Sequence, residues 1–352
     1  MSAPSVVVVG AGVLGARVTR ELLGFNSDGT PAVDRLTLVG RRPARLAELS
    51  GPNGTPVRMI EADEPPADVL GEADVVVIAR AAGDQLSVAT RAVSAGAHVV
   101  ATSDDLEECR SLLKLSSVAI SAARSVAVGV AMAPGLSCLL ARHATALFDG
   151  VDEIHVARVG AGGPSCARQR RRALRGTGVE YRDGEWLERP GFSGRELVWF
   201  PDPIGGADCY RAALADPVLI VDAVFGLRRA SARMAASRVD RGTFWMPMFI
   251  GPPAEGAPGA VRVEVRGQRN GERHDVVYGV FDRPAVAGAA TAAVAALAAA
   301  RGDLPHGAHG LAAVENPVVM LRELARRGVR AATFVGSREF GIDEPSEEQQ
   351  HP

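Results

Sequence analysis

The chain has one lysine, Lys114, among its 352 residues, and that scarcity removes several chemistries. A Schiff-base lysine, a lysine general base or the lysine of a P-loop would each have to be Lys114. Short-chain dehydrogenases need a tyrosine followed four residues later by lysine, and none of Tyr181, Tyr210 and Tyr278 has that partner. Homoserine-dehydrogenase-like enzymes rely on a substrate-pocket lysine that the second half of this chain lacks altogether. Cysteine is scarce too. Cys109, Cys138, Cys166 and Cys209 form no C-x-x-C pair, and the histidines offer only His306 and His309 at H-x-x-H spacing. The expectation is reduced thiols and no metal site. Charge of one sign is also missing: the formal net charge is −2, so no basic excess marks a nucleic-acid partner. The longest weakly apolar run, Ala285 to Ala300, is mostly alanine and shorter than the roughly 20 residues of a typical membrane span. No basic segment or cleavage site precedes Val6, so a cytoplasmic location without a membrane partner is expected.

What is present is an ordinary globular composition, 47% hydrophobic and 23% charged, over a length that suits two domains. Solid apolar runs alternate with helical periodicity through the first 135 residues: SVVVVG, LTLVG, VRMI, ADVVVIA, HVVAT and VAVGVA. Such runs are the mark of strands covered on both faces, and their alternation with helices predicts an α/β, Rossmann-type doubly wound parallel sheet over residues 1–135. After Met132-Ala133-Pro134-Gly135 the pattern changes. DEIHVARVG, GVEYRDGEWLE, SARMAASRV, AVRVEVRGQ and HDVVYGVF alternate with period two, which predicts a second α+β domain on a largely antiparallel sheet over residues 136–314. A helix punctuated by Asn316, Pro317 and Gly328 opens residues 315–337, which are expected to pack back on the first domain. The acidic, apolar-poor residues 338–352 read as a disordered tail.

The chemistry-bearing motif lies between the first strand and the first helix. Gly10, Gly12 and Gly15 have G-x-G-x-x-G spacing: the first permits the tight turn, the second lets a pyrophosphate approach the backbone, and the third lets helix and strand pack closely. Gly10, Ala11, Gly12, Val13, Leu14 and Gly15 are therefore assigned to cofactor binding, with the helix amides as the anion site. An NAD site usually has an acid at the end of the second strand; here that end reads Gly40, Arg41, Arg42. Two guanidinium groups suit a 2′-phosphate, so the expected cofactor is NADP(H).

Longer stretches extend the picture: AGAHVVATSDD at the fifth strand, MAPGLSCLLA at the exit from the first domain, GGPSCARQRRRAL, WFPDPIGGADCYRA and VFDRPAVAGAATAAVAAL. With GAGVLG and GRR these resemble the saccharopine-dehydrogenase-like family, from about residue 5 to residue 337. The resemblance implies a Rossmann domain joined to a mixed-sheet domain, and an enzyme that oxidises or reduces C–N bonds. Hydride transfer to an imine, or from an amine, of a small carboxylated substrate is then the leading expectation. Carbonyl or enoyl reduction on a lipid or polyketide intermediate, and a non-catalytic NADP(H)-binding protein, are the alternatives.

Imine reduction needs a proton source near nitrogen and cationic grips for carboxylates. Ligands of such sheets lie beyond the carboxyl ends of the strands, which adds Ala79, Thr102 and Ser103 to the cofactor set. Asp104 is a candidate acid/base group, with an N-cap role for the following helix as the alternative reading. Asp208 and Tyr210, in a glycine-containing loop, are further candidates for the proton donor. Arg168 and Arg172 are the candidate carboxylate clamp. The exposed face expected for the second sheet is compatible with a homodimer.

Overall fold

The computed structural model describes residues 3–26, 28–41, 55–243, 253 and 256–334. Its first half alternates strands and helices as β1 (Ser5–Val9), α1 (Val13–Leu22), β2 (Arg35–Gly40), β3 (Val57–Glu61), α2 (Ala67–Gly71) and β4 (Val75–Ile78). Then follow α3 (Gln85–Ser94), β5 (His98–Ala101), α4 (Leu106–Leu113), α5 (Ser116–Ser121) and β6 (Ser125–Val128). The strands run parallel in the order β6-β5-β4-β1-β2-β3. The four valines of β1 and the whole of β4 are buried, as β-branched residues covered by helices on both faces should be. Strand order reverses between β1 and β4, which opens a crevice at their carboxyl ends. Arg42, assigned above to the 2′-phosphate site, and the tail at 338–352 lie outside the described residues.

The second half comprises α6 (Leu136–Thr145), β7 (Gly150–Val159), α7 (Pro164–Arg175), β8 (Thr177–Arg182), β9 (Glu185–Pro190), β10 (Glu196–Trp199) and β11 (Gly206–Arg211). It continues with α8 (Asp216–Val221), β12 (Arg229–Ala235), α9 (Arg238–Thr243), β13 (Gly259–Arg269), β14 (Glu272–Asp282), α10 (Pro284–Arg301), β15 (Gly307–His309), α11 (Pro317–Arg326) and β16 (Ala332–Phe334). The second sheet has the order β10-β11-β12-β7-β13-β14-β16, with β8 and β9 attached beside β12. Its pairings are antiparallel except for β12 on β7, so the sheet is mixed.

The expected boundaries need two corrections. The return to the first domain begins at α10, well before residue 315. This helix packs on α1, β4 and β5, and β15 then extends the parallel sheet beyond β6. The physical reason is the alanine content. Every residue from Ala287 to Ala299 is buried, and at Gly288 the helix comes so close that an added Cβ would lie 3.3 Å from the Met132 nitrogen. By length and composition α10 could cross a membrane; here its apolar surface is core. The second correction is the last strand. Of the stretch 315–337, the described residues 315–334 do not stay together: α11 packs on α10 and α6, whereas β16 pairs with β14 in the second sheet.

Candidate active site

A cleft of about 820 Å³ runs from the glycine loop and the ends of β1, β2, β4 and β5 to β7 and α7 of the second domain. The Gly10 amide donates to the Val39 carbonyl at 2.8 Å, which ties the loop to β2. Gly10 has φ +121°, and a Cβ there would strike the Ala79 carbonyl. A Cβ at Gly15 would overlap the Gly10 carbonyl oxygen, whereas one at Gly12 would meet nothing within 4 Å. The open side of Gly12, at the N-cap of α1, leaves bare backbone facing the cleft where the first-turn amides have no intrahelical partners. Two substitutions separate these roles. In urea unfolding Gly15→Ala should lose about 1–3 kcal/mol from overpacking, and Gly12→Ala less than about 1 kcal/mol. Gly12→Ala should weaken an anionic dinucleotide at that small cost in stability; equal unfolding curves for the two variants would refute the assignment.

Gly40 packs on Ala11, and Arg41 extends from the end of β2 into solvent. Its Nε lies 3.6 Å from a carboxylate oxygen of Asp63, which follows β3 and also lines the cleft. The sequence showed no acid at the end of β2; the next strand supplies one to the same corner. Across the crevice, Ala79 donates to the Val9 carbonyl, and the Thr102 hydroxyl donates to the Ile78 carbonyl at 2.9 Å. The side-chain amide oxygen of the wholly buried Gln85 accepts from the Ser103 amide at 3.2 Å. These bonds hold the ends of β4 and β5 at a fixed height against the glycine loop.

Asp104 stands just beyond β5. The cap of α4 is its neighbour Asp105, whose carboxylate accepts the Glu108 amide at 3.0 Å, so Asp104 is free of that duty. Its carboxylate meets the Arg158 guanidinium of β7 at 3.1 Å, across the domain boundary. Burial pushes the Asp104 carboxyl above the ordinary aspartate value, and the facing guanidinium offsets only part of this. Arg158 also donates to the Ala133 carbonyl and is thereby held against the chain that links the domains.

Among solved structures the chain is similar to saccharopine dehydrogenase (L-Glu forming) from Saccharomyces cerevisiae at a TM-score of 0.66. Identity is 14%, over 94% of this chain and 100% of that one. DAP dehydrogenase from C. glutamicum, in complex with DAP, matches at 0.51 with 19% identity over 93% and 99% of the two chains. Amine dehydrogenase from Mycobacterium smegmatis matches at 0.51 with 14% identity over 90% and 97%. No protein-family model and no curated protein matches the chain. The fold is saccharopine-dehydrogenase-like.

Within this saccharopine-dehydrogenase-like fold the half of the cleft away from the glycine loop is built from Met132, Ala133, Arg158, Cys166, Gln169, Arg170, Met234 and Val261. The expected clamp needs correction. Arg168 and Arg172 are exposed, and Arg168 donates to Ser165 at 3.0 Å on the outer face of α7. Helical periodicity instead turns Cys166, Gln169 and Arg170 inward, alongside the buried Ala173. Arg170 forms a two-pronged pair with Asp240 of α9, both contacts 3.0 Å. Burial would raise the Asp240 carboxyl, yet Arg170 and Ser237 bring it down to about 2.

Asp208 and Tyr210 are likewise corrected as proton donors, since neither lines the cleft. Asp208 pairs with Arg195 at 3.0 Å on the β10–β11 hairpin. Tyr210 is buried, its hydroxyl accepting from Arg241 at 3.2 Å and its ring packed on Phe192. Its cross-strand partner Met234 occupies the cleft wall one strand closer. Arg158 went unnoticed in the sequence although a signal existed. In DEIHVARVG it shares the strand face of the buried Ile154 and Val156, and a charge on an apolar face needs a partner.

Proposed function

We propose that the chain is an NADP(H)-dependent oxidoreductase acting at the C–N bond of a small carboxylated substrate. The observation that supports it best is one cleft with a dinucleotide-type glycine loop at one end and a cross-domain carboxylate–guanidinium pair at the other. The bare backbone at Gly12, between two positions where a methyl group cannot fit, suits a pyrophosphate. A nicotinamide dinucleotide bound there would supply or accept the hydride. The amides of Val13, Leu14 and Gly15 would hold its diphosphate, and Arg41 a 2′-phosphate in competition with Asp63. Asp104, with its raised proton affinity, would give or take the proton at the substrate nitrogen. Arg158 and Arg170 would grip the substrate carboxylate, and Met132, Met234 and Val261 would exclude water. The neighbours named as saccharopine, DAP and amine dehydrogenases support chemistry at nitrogen.

Fluorescence quenching with NADPH and with NADH tests the reading. NADPH should bind at least about tenfold more tightly, a difference of about 1.4 kcal/mol. Equal affinities would overturn the phosphate preference and keep the dinucleotide site, while no binding of either would overturn the function.

A further inference from the structure

Beneath the cleft, Asp216 opens α8 with a carboxyl group that has no solvent exposure. The Ser137 hydroxyl of α6 donates to its Oδ1 at 2.6 Å, and its Oδ2 has no hydrogen-bond partner. A carboxylate in that state is costly unless a cation lies near or a proton is retained. The chain just before it, at Leu214, bridges Asp105, so the start of α8 runs beside the segment that carries Asp104. We propose that Asp216 is a positioning residue that controls the protonation of Asp104 through the guanidinium of Arg158.

Three groups make the unit: Asp104 in the cleft, Asp216 below it and Arg158 with its charge acting on both. Burial pushes both carboxyls up and Arg158 pulls both down, and the charge of Asp104 opposes ionisation of Asp216; repulsion between two charges is mutual, so ionised Asp216 opposes ionisation of Asp104 in turn. One cation balances one anion. The unit is neutral when it keeps one proton, and the proton belongs to the pair rather than to either acid. The other groups facing it are Asp105 and Glu108 on the Asp104 side, Cys166 of α7, whose thiol burial pushes up, and the thiols of Cys109 and Cys138. Burial pushes Cys109 well up and Cys138 to about 12, so both thiols stay neutral. Among the elements packed on α8, Glu180 of β8 is engaged by Arg211 and Arg233, and His143 of α6 by the Tyr278 hydroxyl. Asp216 thereby lets Asp104 hold a proton at a pH where an isolated aspartate would have lost it.

This inference rests on Asp104 being the proton-handling group, and its test does not require turnover. Isotope-labelled aspartate carboxyls are followed by NMR against pH, with the Asp104 resonance identified by its loss in Asp104→Asn. In Asp216→Asn the Asp104 midpoint should fall by about one unit or more, because a like charge has gone. Ser137→Ala removes a bond that favours ionised Asp216, moves the shared proton toward Asp216 and should lower the Asp104 midpoint as well. An unmoved Asp104 midpoint in either folded variant overturns the proposal, since a purely structural role would change melting and leave the titration alone. NADPH quenching on the same samples reports separately: wild-type protein that binds no dinucleotide defeats the oxidoreductase reading, whatever the titration shows.

Discussion

Arg158→Met should lower the unfolding free energy by up to about 3 kcal/mol near neutral pH, the low end of the range for breaking a buried ion pair from one side, because this pair is only partly buried. Methionine replaces the stem and leaves Asp104 and Asp216 without their shared cation. Much of the deficit should return on acidification. Both carboxyls already sit above the ordinary value of 3.8, so in the intermediate range the folded chain binds more protons than the unfolded one. Stability from that excess is complete below the unfolded value and is lost as pH rises through the folded one. Without the guanidinium the folded values climb further, which widens the window of loss. Urea unfolding from about pH 4.5 to about pH 7.5 measures this. A deficit that stays constant over the series would mean that lost packing, and not stranded charge, explains it.

Asp104→Asn should reduce turnover by about 10²–10⁴-fold, the usual contribution of a positioned acid or base. Asparagine keeps the size of the side chain and can still face Arg158, but it cannot carry the proton. Dinucleotide affinity should remain within about twofold, because the binding loop is formed by Gly10 to Gly15 on the other side of the crevice. Steady-state kinetics with an amine or imine substrate, read beside NADPH quenching, distinguishes the two effects. Asp208→Asn is the matched control, since that carboxylate pairs with Arg195 away from the cleft. Unchanged kcat/KM in Asp104→Asn would remove Asp104 from the chemistry.

The glycine loop was legible because every force that shapes it is local. A strand of valines, three glycines and an amphipathic helix lie within eighteen residues of one another, and their spacing states the turn and the close packing directly. The ends of α11 were legible for the same reason, with Asn316, Pro317 and Gly328 at the cap positions that helices favour. The half of the cleft away from the glycine loop was less so. A run of arginines in GGPSCARQRRRAL announces a basic helix, but only the packing of Ala173 and Leu174 tells which of them point inward. Asp104 and Asp105 are adjacent carboxylates with equal claims to the helix cap, and the hydrogen bond to Glu108 chooses between them.

The alternation of β1 to β6 with helices, the bare backbone at Gly12 and the change of strand texture after Gly135 follow from the sequence alone, because periodicity and steric size are properties of neighbours along the chain. Which layer receives α10, where β16 pairs, that Asp63 reaches Arg41 and that Asp104, Arg158 and Asp216 share one charge balance were decided by tertiary structure. An apolar face requires cover, and a buried charge requires a partner, but neither requirement names the distant segment that meets it until the chain has closed on itself.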